Sequence, residues 1–567
     1  MGREREPQIN NLCFGQPQQY KDQPSSVITR YTSSPTLFSS RAAMAAQVNS
    51  IIAGMVMAMV VIVMVIARVV NRVWQRPKRL ERCLRRQNLN GNSYRLVFGD
   101  LKEMGRMIEQ AKSKPISIDD DIVPRIIPFH HQLFQNYGMN SFMWFGPYPM
   151  VTIANPEDIK EVFNNISVFE KPPNNPLGKL LITGILDYNG EKWSKHRRIV
   201  NPAFHLEKLK LMLPAFYESC NEMVKKWVRL VSESQRDYCE IDVWPFFQSM
   251  TGDAISRTAF GSSYEEGQKI FQLQSEQAIL TIKVLQSVYI PGWRFVPTKL
   301  NRRLKEIEKE IQALVRGIIQ KREKAREAGE APSDDLLGIL LESNCKEIKD
   351  KGNKNNVGMS IEDVIKECKL FYLAGQETTS VLLNWMIVLL CKYPNWQSQA
   401  REEVFQVFST QTPDYDGLNR LKLVSMILYE VLRLYPPTPM LTRAVSKDTR
   451  LGNMNLPAGA LVGIPVILVQ RDPQLWGKDA KEFNPQRFCE GISKATKSQG
   501  SYVPFAWGPR VCPGQNFALL EAKMALSLIL QNFSFELSPS YAHAPFSILT
   551  LHPQYGTHII LRKLQNY

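Results

Sequence analysis

The feature that most constrains this chain is a run without one charged residue from Ala42 to Ala67, almost wholly Ile, Val, Met and Ala between Ile51 and Ile66. That length crosses a hydrocarbon layer as a single helix. Immediately after it come Arg68, Arg72, Arg76, Lys78, Arg79, Arg82, Arg85 and Arg86, opposed only by Glu81. A basic collar of this kind stays in the cytosol, so the large C-terminal part is expected on that side of a single-pass membrane protein. The expected organisation is a polar, disordered N-terminal extension over 1–47, a transmembrane anchor over 48–67, a basic linker over 68–90 and one large domain over 91–567.

A formal net charge of +16 invites a nucleic-acid reading. No zinc-finger spacing, basic zipper or aromatic RNA-binding signature accompanies the charge, and part of it lies beside the anchor, so membrane lipid is the expected partner and nucleic acid is not. The nine cysteines are odd in number, scattered and without a CxxC pair, which argues against a disulfide scaffold. Apolar residues Leu304, Ile307, Ile311, Leu314 and Ile318 predict an amphipathic helix over 301–324. Phe142 to Ile153, turning at Gly146 and Pro147, predicts a hairpin, and Glu323–Asp335 and Ser343–Met359 read as surface loops. The coarse result is a mainly α chain with a small β part.

The strongest chemical signal is Pro504-Phe505-Ala506-Trp507-Gly508-Pro509-Arg510-Val511-Cys512-Pro513-Gly514, followed by a helical pattern from Asn516. Glycines and prolines make a tight loop that delivers one cysteine to a helix start, where the dipole and free amides should lower its proton affinity. A thiolate so held is a strong donor to haem iron and favours O–O cleavage. Arg510 can then reach a haem propionate, and Phe505 can shield the sulfur. A second signal, Ala374-Gly375-Gln376-Glu377-Thr378-Thr379, lies in an apolar run from Ile361 to Leu390. Ala374 and Gly375 would let the backbone approach a flat cofactor, while the Thr378 hydroxyl, one turn on, competes for the Ala374 carbonyl. The resulting notch could take dioxygen and a water, with Thr378 and Glu377 as proton relay. Glu430-Val431-Leu432-Arg433 sets a carboxylate and a guanidinium three apart on one helix face. Trp193-Ser194-Lys195-His196-Arg197 supplies an indole and a guanidinium at helical spacing; His196 is expected at the surface.

Phe505, Gly508, Arg510, Cys512 and Gly514 match the FxxGxRxCxG signature of cytochrome P-450 proteins at every fixed position, and the chain resembles that superfamily over roughly residues 90–567. The threonine segment resembles its AGx(D/E)T(T/S) pattern, Glu430 to Arg433 its ExxR motif and Trp193 to Arg197 its WxxxR pattern. The resemblance implies the cytochrome P-450 fold, mainly α with a small β subdomain and an N-terminal transmembrane helix. It implies haem b with Cys512 as axial ligand to the iron, O2 as co-substrate, and electrons from NADPH through a membrane-bound flavoprotein reductase, which the basic stretch around Lys195 and Arg198 could steer. Trp193, Arg197 and Arg443 would meet the haem propionates, and Glu430, Arg433 and Arg487 would form a folding network.

Trp74–Gly91 and Trp144–Phe163 resemble a plant clan that includes secologanin synthase and oxidases of triterpenoids, gibberellins and brassinosteroids. A small lipophilic terpenoid substrate and the endoplasmic reticulum membrane follow as expectations, with Phe169–Leu186, Phe371, Tyr372, Met440–Thr442 and Ser547–Thr550 as substrate contacts. The alternatives are a haem-thiolate isomerase or dehydratase that uses no O2, and a non-catalytic haem sensor. The chain departs from the pattern at the hinge, reduced to Pro77, and at Gln486, where Glu is common. Tyr289 to Phe295 mixes aromatics with Arg294 and is expected at the membrane surface.

Overall fold

The computed structural model describes residues 36–564 except 174, 235, 262–263, 286–291, 330–334 and 352–357. It divides into two compact units at Val69/Val70. Helix α1, Thr36–Val70, takes in 36–47, which the composition had assigned to the disordered extension. That stretch carries four alanines and no proline or glycine, so nothing stops a helix from continuing N-terminal to the apolar run. The apolar window reaches a mean hydropathy of 2.8 with no part buried in protein. Met57 is 71% exposed and Ile62 56%, a continuous apolar surface on a helix long enough to cross a membrane.

In the second unit the basic stretch is ordered. Asn71–Gln75 form a π turn and Arg76–Arg85 a helix whose Pro77, Leu80, Glu81 and Leu84 are buried. A six-stranded sheet comprises β1 (Asn90–Gly91), β2 (Ser141–Phe145), β3 (Tyr148–Thr152), β4 (Phe169–Glu170), β5 (Leu441–Val445) and β6 (Leu461–Ile464), in the order β1-β2-β3-β6-β5-β4. The predicted hairpin is its β2–β3 pair, with Phe142 opposite Val151 and Phe145 opposite Tyr148. Gly146 opens that two-residue turn at φ +59°, a conformation costly for any other residue.

Helices α2 (Gly190–Val200), α3 (Val243–Phe260), α4 (Ile361–Lys392), α5 (Lys422–Leu434) and α6 (Gln515–Asn532) frame the core. The Ser360 hydroxyl accepts the Asp363 amide at 3.2 Å and caps α4, as its sequence suggested. Almost all of α4 from Thr379 to Leu390 is buried, as is Val364–Tyr372 apart from Lys366. Gly375 faces α3: a Cβ there would lie 2.7 Å from Ile255, so this glycine serves helix packing rather than the cofactor approach expected of it.

The predicted 301–324 helix runs over Lys299–Glu327. Its buried stripe is Leu304, Ile307, Ile311, Val315 and Ile319, with Leu314 and Ile318 only partly buried. Beyond Ile311 the buried stripe advances in steps of four, each turning the inward face by about 40°, so it winds around the helix instead of following the alternating three-four spacing. Ser343–Lys351, expected as loop, belongs to a helix over Leu336–Lys351. Buried Leu336, Leu337, Ile339 and Leu340 anchor it, and Glu342, Lys346, Glu347 and Lys349 beyond them are good helix formers. The expected loop segments 330–334 and 352–357 lie outside the described residues.

Candidate active site

The cysteine loop ends in a short turn, Gly508–Arg510, and reaches α6 one residue after Gly514. Gly508 has φ +68°, and a Cβ there would meet Asn164 Oδ1 at 2.7 Å, so sterics and backbone both require glycine. The Cys512 amide donates to the Phe505 carbonyl at 2.9 Å, which folds Phe505 back beside the cysteine. Gly514 places its Cα side toward Phe204 and the Cys512 Sγ, and Phe204 meets Phe371 of α4 edge to face at 5.9 Å. The loop and α4 are thus joined through two aromatic rings.

Cys512 is exposed, although protein surrounds the loop that carries it. That enclosure pushes its thiol up, while the Gly514 amide and the positive charge of Arg197 pull it back only in part. The helix start therefore does not by itself lower the proton affinity below that of an ordinary cysteine, contrary to the sequence expectation.

Cations crowd the neighbouring space. Arg510 lies over the Trp193 ring at 4.4 Å and donates to the Tyr188 carbonyl at 2.9 Å and to Asn189 Oδ1 at 3.0 Å. Arg443 lies over Phe163 at 5.2 Å. Burial pushes both guanidiniums down to about 10, aided by the charge of Arg510 on Arg443 and of Arg197 on Arg510. Lys171, which the sequence reading missed, is held well below its ordinary range by burial and then by Arg443 and Arg510. Among the described residues, buried Arg443 Nε and Arg510 Nε and Nη1 have no hydrogen-bond partner. The acidic neighbours are Glu170 of Arg510 and Asp187 of Lys171. Four cations on one space, Arg197, Arg443, Arg510 and Lys171, with unused donors on Arg443 and Arg510, fit the paired propionates of haem b.

On α4 the burial breaks at Leu373–Thr378, where Ala374 is exposed inside an otherwise buried helix. The Thr378 hydroxyl donates to the Ala374 carbonyl at 2.7 Å, as its spacing predicted, while the helix stays regular. Glu377 turns the other way. Its Oε1 accepts from Thr550 Oγ1 at 2.6 Å and is paired with His552 Nε2. Although burial raises it, bonding to His552 and Thr550 leaves this carboxyl below the usual range.

The structure joins Glu430, Arg433 and Arg487. Arg433 pairs with Glu430 through two bonds of 2.7 and 2.8 Å, both side chains fully buried, and Arg487 Nε lies 3.5 Å from the same carboxylate. His196 is a correction: it is fully buried, its Nδ1 2.6 Å from Glu367 Oε1, and Glu367 Oε2 accepts the Ile185 amide at 3.1 Å. Tyr372, expected at the substrate, instead stacks on Phe260 at 4.2 Å in the core. Arg198 is engaged by Glu347 through bonds of 2.6 and 3.0 Å. Of the segment Tyr289 to Phe295, residues 289–291 lie outside the described residues, while Trp293 is 46% and Phe295 70% exposed.

A mainly helical domain with a cysteine loop at a helix start and a buried cation cluster has the make-up of a haem-thiolate oxidoreductase. The cytochrome P450 family profile matches residues 125–558. Cytochrome P450 72A15 of Arabidopsis thaliana is 58% identical over 491 residues, 87% of this chain and 94% of that protein. Cytochrome P450 CYP72A219 of Panax ginseng is 59% identical over 492 residues, and Cytochrome P450 72A68 of Medicago truncatula 54% over 492, each with the same two shares. The chain belongs to the cytochrome P450 family. It is a haem monooxygenase that uses haem b, O2 and a small-molecule substrate, with electrons from NADPH through a reductase.

Proposed function

We propose that this enzyme inserts one oxygen atom from O2 into a lipophilic plant terpenoid (a triterpenoid, an iridoid or a diterpenoid hormone) at the endoplasmic reticulum membrane, its catalytic domain facing the cytosol. The observation that carries the oxygen chemistry is the break in burial on α4, where Ala374 is open and the Thr378 hydroxyl is fixed on the Ala374 carbonyl. In this reading Cys512 would bind the haem iron through its sulfur, Phe505, Gly508 and Gly514 would shape its loop, and Trp193, Arg197, Arg443, Arg510 and Lys171 would hold the propionates. Haem b bound there supplies O2 binding, one-electron reduction and O–O cleavage. Thr378 Oγ1 holds a proton at the open face, and Glu377 replenishes it.

The isomerase reading leaves Thr378 and Glu377 without a task, and the sensor reading leaves the reductase without one. Phe371, Met440–Thr442 and Ser547–Thr550, with loop 169–186, would meet the substrate; a largely apolar lining suits a terpenoid skeleton. The collar after the anchor and exposed Trp293 and Phe295 support contact with membrane lipid, from which such a substrate partitions.

The test is full-length protein in microsomal membranes with an NADPH-dependent reductase and a terpenoid panel. A product carrying one atom from heavy-isotope dioxygen is expected, and NADPH oxidation without any oxygenated terpenoid would overturn the substrate assignment. Thr378→Ala is expected to keep NADPH oxidation while product formation falls about tenfold or more and hydrogen peroxide rises, the signature of a lost proton donor. Unchanged product per NADPH would remove Thr378 from the relay.

A further inference from the structure

The Glu377–His552 pair joins α4 to the hairpin of β7 (Pro545–Ser547) and β8 (Leu551–Pro553), an element far from α4 in the chain. Neither side chain is sealed: His552 is 15% and Glu377 16% exposed. Thr550 Oγ1 lies 2.6 Å from Glu377 Oε1 and 3.0 Å from His552 Nε2, closing a three-membered hydrogen-bonded set. The imidazole is held in place by Trp244 at 5.0 Å between ring centres and by Phe546 at 5.9 Å. The other charged groups that face the hairpin serve different residues of it: Lys112 lies over Phe546 at 5.2 Å, and Arg125 donates to the Pro545 carbonyl at 3.0 Å. His552 is the charged group that bears on the Glu377 carboxyl.

The geometry points to His552 as the positioning residue through which solvent protons enter the oxygen-activating site, passing from its Nε2 to Glu377 Oε1. This rests on the reading of Glu377 as part of the relay. The transfer breaks Nε2–H and forms O–H on the carboxyl. His552 then regains its proton from water. Over one turnover the two protons of the released water come from solvent and the two electrons from NADPH, so the step consumes nothing further. Transfer also neutralises both partners, so the attraction that holds the carboxyl on the hairpin weakens as it is loaded. The carboxyl is then free to turn toward Thr378. Bonding to His552 and Thr550 keeps the resting form a carboxylate, and delivery occurs on demand rather than by standing protonation.

The experiment compares wild type, His552→Gln, Glu377→Gln and the double variant as full-length protein with reductase in membranes. It measures product formation, the solvent isotope effect in heavy water, and amide hydrogen exchange over residues 545–553. Glutamine at 552 can still donate a hydrogen bond to Glu377 but cannot pass a proton on. Expected for H552Q are product formation lowered roughly tenfold, an order below the loss of a directly acting donor, a larger solvent isotope effect, and hairpin exchange as in wild type. E377Q should be affected at least as much, and the double variant no more than E377Q alone. Impaired E377Q beside an H552Q with normal product formation and isotope effect overturns the inference. Impaired H552Q with faster hairpin exchange and an unchanged isotope effect overturns it also, because His552 would then only hold the hairpin. Normal turnover in E377Q overturns the relay reading itself. If H552Q does not assemble, judged by its carbon-monoxide spectrum, His552→Asn carries the same readouts.

Discussion

Cys512→Ser is expected to give a folded protein that makes no oxygenated product and lacks the red-shifted band of the reduced, carbon-monoxide-treated wild type. The two halves of that result have separate causes. Cys512 is exposed, so exchanging sulfur for oxygen removes little packing, and stability of the haem-free chain should change by no more than ~0.5 kcal/mol. The spectrum and the chemistry depend on an anionic sulfur, which a serine hydroxyl does not replace. Enclosure pushes the Cys512 thiol up in this structure, and metal coordination deprotonates a thiol outright, so ionisation should arrive with the haem rather than precede it. Haem-free protein should accordingly react slowly with thiol reagents at neutral pH, as an ordinary cysteine does. Retention of the shifted band in C512S would mean that another residue ligates the iron.

Motif residues were legible in the sequence because each motif is local: a loop of eleven residues, one turn of α4, one turn of α5. Local spacing also gave the β2–β3 hairpin and the cap at Ser360. What escaped is pairing across long separations. Lys171 joins Arg443 and Arg510 from a Glu-Lys-Pro-Pro segment that carries no recognisable pattern. His552 meets Glu377 across 175 residues. A charge on one element says nothing about its partner until the fold brings them together.

His196 differs, because its burial could have been read. Trp193, His196, Arg197 and Val200 fall at i, i+3, i+4 and i+7, the inward stripe of a helix. Three of them are indeed buried, and Arg197 lies among the buried cations. The surrounding Lys195 and Arg198 suggested a solvent-facing run, yet on a helix neighbours in sequence point to different faces. Glu367 is the matching signal on α4, a carboxylate on a stretch otherwise committed to the core.

Arg433→Ala is the substitution with the largest expected cost to the fold. The guanidinium bonds Glu430 through Nε and Nη2, and it also donates to the carbonyls of Gln470 at 2.8 Å and Glu482 at 3.0 Å, as well as to that of Ala480. Removing it strips a fully buried carboxylate of its two-bond partner and leaves Arg487 at 3.5 Å as its nearest guanidinium, at about 3–5 kcal/mol, and leaves three carbonyls short of a donor. Against a total stability of about 5–15 kcal/mol, this is a large share of the margin. Arg487→Ala should cost less, because that side chain reaches Glu430 only at 3.5 Å and its closer bond, 2.7 Å to Asp479, lies near the surface. The discriminating variant is Glu430→Met with Arg433→Met. An isolated buried ion pair can often be replaced by apolar residues at no cost. Here the double replacement should stay strongly destabilised, because the carbonyls of Gln470, Ala480 and Glu482 lose the same donor. Denaturant midpoints of the four proteins decide it: a double variant as stable as wild type would reduce the network to a simple ion pair, whereas R433A and the double variant falling together would identify Arg433 as the clamp that fixes segment 470–482 against α5.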